Sequence, residues 1–187
     1  YHFDSGTVDW LTSIYETSDP AWSPDGMRLA YGGIPKFIYT INSDGTDQRT
    51  LFEPLKYGSG VGYNYASGPA WSRDGSQIAF FSFWDDDTYD WNDTGGIFLM
   101  KDDGTGLRQL TDNYQDTDPS WSPDGKWLLF QTGSYRAWDI CVIGIERSHA
   151  DFSGHYVESC PEVLLDRDLL LNACRRPVPF HGGHHNS

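Results

Sequence analysis

Apolar residues fall into short runs separated by polar turns, and the runs come in pairs. The first members are Met27 to Tyr31, Gln77 to Phe83 and Lys126 to Gln131; the second are Phe37 to Ile41, Ile97 to Met100 and Trp138 to Ile143. Runs of this length, bounded by Gly, Pro, Asp and Ser, predict strands. Ahead of each first run stands one pentapeptide in three versions, Trp22-Ser23-Pro24-Asp25-Gly26, Trp71-Ser72-Arg73-Asp74-Gly75 and Trp121-Ser122-Pro123-Asp124-Gly125. Pro presets the first corner of a tight turn, Asp bonds local backbone, and Gly accepts the left-handed conformation that closes it. Each pentapeptide therefore predicts a hairpin between the Pro-Ala-Trp or Pro-Ser-Trp segment before it and the run after it. Two of the second runs lead into Asp-Gly-Thr turns, at Asp44-Gly45-Thr46 and Asp103-Gly104-Thr105, which places Leu51 and Leu110 inside a fourth strand.

Four short antiparallel strands in a unit of roughly fifty residues are the signature of a β-propeller blade. The stretches Asp19-Pro20-Ala21-Trp22-Ser23-Pro24-Asp25-Gly26 with a following Leu29-Ala30-Tyr31, and Asp118-Pro119-Ser120-Trp121-Ser122-Pro123-Asp124-Gly125 with Leu128-Leu129-Phe130, resemble the TolB-type propeller repeat. The resemblance covers most of residues 1 to 173. It implies the fold and a tendency to bind other proteins; such blades occur in periplasmic scaffolds, surface proteins and the non-catalytic halves of peptidases, so it implies no particular activity.

Residues 1–12 are expected to finish a blade, because Leu11-Thr12 stands eight residues before Asp19-Pro20 just as Leu110-Thr111 stands eight before Asp118-Pro119. Blade one then spans 20–52, blade two 69–111 and blade three 119–153. Aligning Tyr156 with Tyr114 brings Pro161 under Pro119, Val163 under Trp121 and Asp166 under Asp124. Residues 161–173 thus read as degenerate inner strands, and 174–187, with two prolines and no strand pattern, as an extended tail. The expected fold is all-β, a propeller of four-stranded antiparallel blades with three full repeats plus a shared or split fourth. Closing that blade within one molecule gives a four-bladed ring, and exchanging strands between molecules gives a larger ring or a head-to-tail filament; the pattern leaves both open.

Of the 187 residues, 13 are Lys or Arg and 27 are Asp or Glu, a net charge of −14 that repels nucleic acid and anionic lipid. No apolar run approaches the roughly 20 residues that cross a bilayer, so no membrane insertion is expected. The chain starts at Tyr1, which reads as a processed mature chain or a fragment. Trp22, Trp71 and Trp121 recur at one repeat position and are expected in the blade core.

Two connections on the same side of the second blade are long, Glu53 to Gly68 and Ser82 to Gly96. Long loops on a rigid scaffold are where binding sites gather. Their Tyr57, Tyr63, Tyr65, Phe83, Trp84, Tyr89 and Trp91 form a candidate binding face, suited to a protein partner or to stacking on a sugar. The second loop also holds Asp85, Asp86, Asp87, Asp90 and Asp93. Asp85, Asp87 and Asp90 are candidate Ca²⁺ ligands, although the calcium-loop glycine and closing Glu are missing and a solvated acidic loop is the alternative. No other cofactor is expected. Asn92-Asp93-Thr94 makes Asn92 a glycosylation candidate. Cys160 and Cys174 would stand at the open ends of the degenerate hairpin, which predicts a disulfide and an oxidising compartment. Cys141 reads as a buried thiol, and His181, His184 and His185 as part of the tail.

No nucleophile elbow, zinc-helix motif or phosphate loop occurs, so no catalytic residue is assigned and a non-enzyme is expected. The sequence therefore reads as an extracytoplasmic scaffold or binding module (secreted, cell-surface or periplasmic) that associates with itself or another protein. A propeller fragment of a larger TolB-type protein or peptidase, and a carbohydrate-binding or carbohydrate-active propeller, are the alternatives.

Overall fold

The computed structural model describes residues 10–12, 17–33, 37–53, 64–84, 94–134 and 137–146. The chain divides into two compact units, Tyr1–Phe152 and Ser153–Ser187, and the described residues all lie in the first. The degenerate repeat at 161–173, the tail at 174–187 and most of the expected outer strand at 1–12 lie outside the described residues.

Among the described residues, three antiparallel sheets form in chain order. Sheet one contains β1 (Ser18–Trp22), β2 (Arg28–Gly33), β3 (Phe37–Asn42) and β4 (Arg49–Phe52), each paired with the next. Sheet two repeats this with β5 (Asn64–Trp71), β6 (Gln77–Trp84), β7 (Thr94–Lys101) and β8 (Arg108–Gln109), and sheet three has β9 (Thr117–Trp121), β10 (Trp127–Ser134) and β11 (Ala137–Gly144). Leu110 lies one residue past β8 instead of inside it. Its amide still donates to the Ile97 carbonyl at 2.8 Å, and its side chain is fully buried.

The serine of each pentapeptide does as much as the Asp and Gly. In the first turn Ser23 Oγ accepts from the Arg28 amide at 2.9 Å and donates to Asp25 Oδ1 at 2.6 Å, and that oxygen accepts from the Met27 amide at 3.0 Å. Ser72 repeats the bonds to Gln77 N and Asp74, and Ser122 those to Trp127 N and Asp124. The backbone closes with Gly26 N on Ser23 O at 2.9 Å, and Gly26, Gly75 and Gly125 take φ of 69°, 74° and 70°.

Before each turn the inner strand carries a bulge. Ser18 faces Gly32 and Ala21 faces Ala30, which leaves Asp19 and Pro20 opposite Tyr31 alone; the register shifts likewise between Ser67 and Ala70 and between Thr117 and Ser120. The residue ahead of the proline is left-handed each time, Asp19 at φ 49°, Gly68 at 61° and Asp118 at 53°. A bulge removes a ladder position, so the missing amide of proline costs no strand pairing there.

Register assigns the two faces of each sheet, since directly opposed residues share a face. Sheet two turns Trp71, Ile78, Phe80, Phe98 and Met100 toward sheet one, where they form one core with Ala30 and Ile38. Phe52 of β4 enters it, its ring 4.8 Å from Phe80. Arg28 stacks on Trp71 at 4.9 Å and pairs with Asp102 at 2.8 Å. Trp121 faces sheet two in the same sense, its Nε1 donating to the Ala70 carbonyl at 3.0 Å.

The expectation that all three tryptophans lie in the core needs correction. Trp71 is 8% exposed, but Trp22 is 52% exposed. Each seated indole packs on the sheet before it, and among the described residues no sheet precedes sheet one.

Candidate binding face

Of the aromatics expected to form a binding face, Tyr65 and Phe83 are brought together directly. They sit opposite each other on β5 and β6, with ring centroids 5.5 Å apart. Phe81, two residues earlier on the same face, lies 5.4 Å from Tyr65 and completes a ladder that the sequence reading missed. Alternation along β6 puts Phe81 and Phe83 on one side, which is the signal that would have added it. All three rings are half-buried. Across the strand pair stands Gly95, where a Cβ would lie 2.5 Å from the Ser82 carbonyl oxygen and 2.6 Å from the Phe83 Cβ, so the glycine lets β7 lie close against the β6 backbone beneath the ladder.

Trp84 ends β6, with its side chain outside the described residues. Tyr57, Tyr63, Tyr89 and Trp91, the candidate Ca²⁺ ligands Asp85, Asp87 and Asp90, the sequon at Asn92 and the Cys160–Cys174 pair also lie outside them. Among the described residues no group of three or more His, Cys, Asp or Glu could hold a metal ion. Cys141 is buried, at 6% exposure.

One carboxyl on the connection from sheet two to sheet three is unusual. Asp116 is 4% exposed, and its Oδ1 has no hydrogen-bond partner. Burial pushes its pKa up to about 6, against the opposing effect of hydrogen bonds with Thr132 and Thr111. The turn carboxylates are the reverse case. Asp25, Asp74 and Asp124 are held below the usual range, first by the Ser23, Ser72 and Ser122 hydroxyls. Asp44 and Asp103 are held down first by Thr46 and Thr105. Between sheets one and two, the buried Ser67 hydroxyl donates to Asp19 and is 2.8 Å from Ser18 Oγ. Gly32 completes that junction, since a Cβ there would lie 2.6 Å from Ser67 Oγ.

No family model matches the chain. It is 31% identical over 128 residues to the uncharacterized peptidase YuxL of Bacillus subtilis, covering 66% of this chain and 18% of that one. It is also 31% identical over 138 residues to the protein TolB homolog of Chlorobium luteolum, covering 71% of this chain and 28% of the relative. The chain thus spans well under a third of these relatives. Among solved structures, the putative TolB from Agrobacterium tumefaciens superposes with a TM-score of 0.55 at 22% identity, over 74% of this chain and 49% of that one. Together with the antiparallel all-β sheets, these likenesses make the fold a TolB-like β-propeller.

Proposed function

We propose that the chain is a non-catalytic, extracytoplasmic scaffold or binding module, and that it binds protein through the aromatic rim of sheet two. The observation that carries this reading is the ladder of Tyr65, Phe81 and Phe83. These are rigid rings on a paired strand, half-exposed, at the ends of the two long connections. Aromatic side chains held in this way lose little conformational freedom on binding and dominate protein interfaces. Similarity to TolB relatives supports a protein ligand and an extracytoplasmic location. Self-association, which the strand pattern at the chain ends suggests, belongs to the same reading.

Photo-crosslinking tests the rim. A photoreactive residue at position 83 is expected to capture protein, and Tyr65→Ala in the same chain to reduce capture strongly. Equal capture from a control position at Lys126 would overturn the assignment. Retention of the chain on a polysaccharide column, lost in Tyr65→Ala, would replace a protein ligand with a sugar.

The similarity to a peptidase supports a second reading, in which the chain is propeller material from a larger enzyme. An antibody against the chain, used on the source cells, separates the two. A band near the size of 187 residues fits the scaffold, and one several times larger fits the enzyme.

A further inference from the structure

Deepening the protein-binding rim proposed above, on which it rests, we infer that the ligand is a basic protein segment. An arginine of that segment stacks on the ladder of Tyr65, Phe81 and Phe83 and pairs with Asp118. The carboxylate stands beside the ladder. A Cβ at Gly68 would lie 3.1 Å from the Phe81 ring and 3.8 Å from Asp118 Oδ1, so ring and carboxylate come together across a residue without a side chain. Asp118 is exposed near the start of β9. Among the described residues, the 3.3 Å contact from the Thr117 hydroxyl is its only hydrogen bond. The chain already holds one arginine in this way. Arg28 lies over the Trp71 ring at 4.9 Å and meets Asp102 at 2.8 Å, where the ring face attracts the cation and the carboxylate fixes its orientation. The rim offers the same two groups, and among the described residues no arginine fills them.

The distribution of charge along the strands supports a cationic ligand. Sheet two ends at the rim with the pair Trp84 and Thr94, and at its other end with Gln77 and Lys101. The Arg28–Asp102 and Arg108–Ile145 contacts align that other end across the three sheets. The described cations, Arg28, Arg49, Arg73, Lys101, Arg108 and Lys126, all lie toward it. Arg28, Arg49, Arg73 and Arg108 are engaged there with Asp102, Asp47 and the carbonyls of Pro123 and Ile145. At the rim end, the sequence that joins β6 to β7 brings Asp85, Asp86, Asp87, Asp90 and Asp93 and no Lys or Arg. Lys36, Lys56 and Arg136 fall on connections at this end, where Glu16, Glu53 and Asp112 offset them. The rim is therefore the negative pole of a chain that carries −14 overall, and its field draws in basic segments and turns acidic ones away. A guanidinium suits the site better than an ammonium, because it is planar, weakly hydrated and able to stack and pair at once.

Fluorescence anisotropy of a labelled Arg-Gly-Ser repeat peptide with the full chain tests the assignment, with circular dichroism to confirm that each variant folds. The peptide should bind, about 5-fold more weakly when lysine replaces its arginine and not at all when glutamate does. Phe83→Leu keeps an apolar side chain and removes the ring; Asp118→Asn removes the charge and keeps a residue suited to left-handed backbone. Each should weaken binding by about 10-fold. Glu146→Gln removes one exposed charge at the far end and should leave binding unchanged. A loss as large in Glu146→Gln as in Asp118→Asn, or equal binding of the arginine and glutamate peptides, would overturn the inference. Protein captured by the photoreactive residue at position 83, with no binding of the arginine peptide, would remove the basic ligand and leave the rim standing. Failure of both would end the inference and the protein-binding reading together.

Discussion

Replacing Asp116 with asparagine should make the protein more stable at neutral pH and flatten its response to acid. The folded chain holds this carboxyl near 6 against an ordinary value of 3.8, because ionising it strands a charge at a site that is 4% exposed. The folded pKa is the higher one, so the contribution to stability is fully present below 3.8 and disappears as pH rises through about 6. A gap of about two units at 1.36 kcal/mol each gives an upper figure of about 3 kcal/mol. Urea unfolding of the wild type and Asp116→Asn from pH 4 to pH 7.5 measures it. The difference between the two proteins cancels the histidines, which titrate in the same range. The variant should gain on the wild type as pH rises from 4 to 7. A difference that is flat across that window would show that Asp116 carries no such penalty.

Ser72→Ala should cost about 1–2 kcal/mol in the same unfolding assay, because it removes a buried hydroxyl that is the acceptor for the Gln77 amide and the donor to Asp74. Below pH 4 the wild type should lose stability. The five turn carboxylates have folded pKa values below the ordinary one, so their contribution is present above that value and is lost as pH falls through the folded values; a melting temperature that climbs there would contradict this. Gly96→Ala should prevent sheet two from forming, since a Cβ would lie 2.2 Å from the Thr111 carbonyl at a φ of 143°. A soluble Gly96→Ala protein with wild-type near-UV circular dichroism would refute that reading.

Turns, strand order and the antiparallel all-β class were legible because they are written locally. The pentapeptide carries its own hydrogen-bond acceptors and its own left-handed glycine, so its geometry does not wait for the rest of the chain. The tryptophans show where this stops. Trp22, Trp71 and Trp121 share sequence context, but their burial depends on the sheet that precedes each, which no local pattern records. Asp116 is a similar case: desolvation makes it unusual, and desolvation is supplied by residues distant in sequence, while an isolated Asp in a polar connection looks soluble. Part of the binding face could be read, because Tyr65 and Phe83 flank long loops. Phe81 was missed since it was read as strand and not as surface.

The bulge ahead of each proline separates a position that needs a conformation from one that needs a side chain. Asp19, Gly68 and Asp118 share positive φ, which costs a non-glycine residue about 1 kcal/mol or more, so backbone alone would favour glycine at all three. The carboxylates have unequal surroundings. Among the described residues Asp118 receives only a long 3.3 Å contact, from its neighbour Thr117, whereas Asp19 accepts from Ser67, a hydroxyl with 0% exposure on the next sheet. Asp118→Gly should therefore be neutral or slightly stabilising, the released strain offsetting the added freedom of the unfolded chain. Asp19→Gly gains the same relief but takes the charged acceptor from a buried hydroxyl, leaving it Ser18 Oγ at 2.8 Å, and should be destabilising by about 1 kcal/mol. Gly68→Ala, at φ 61° with Phe81 carbon 3.1 Å from the new Cβ, should be worse than either. If chemical denaturation ranks Asp19→Gly level with Asp118→Gly, the Ser67 contact contributes nothing, and the repeated aspartate is there for its tolerance of left-handed backbone alone.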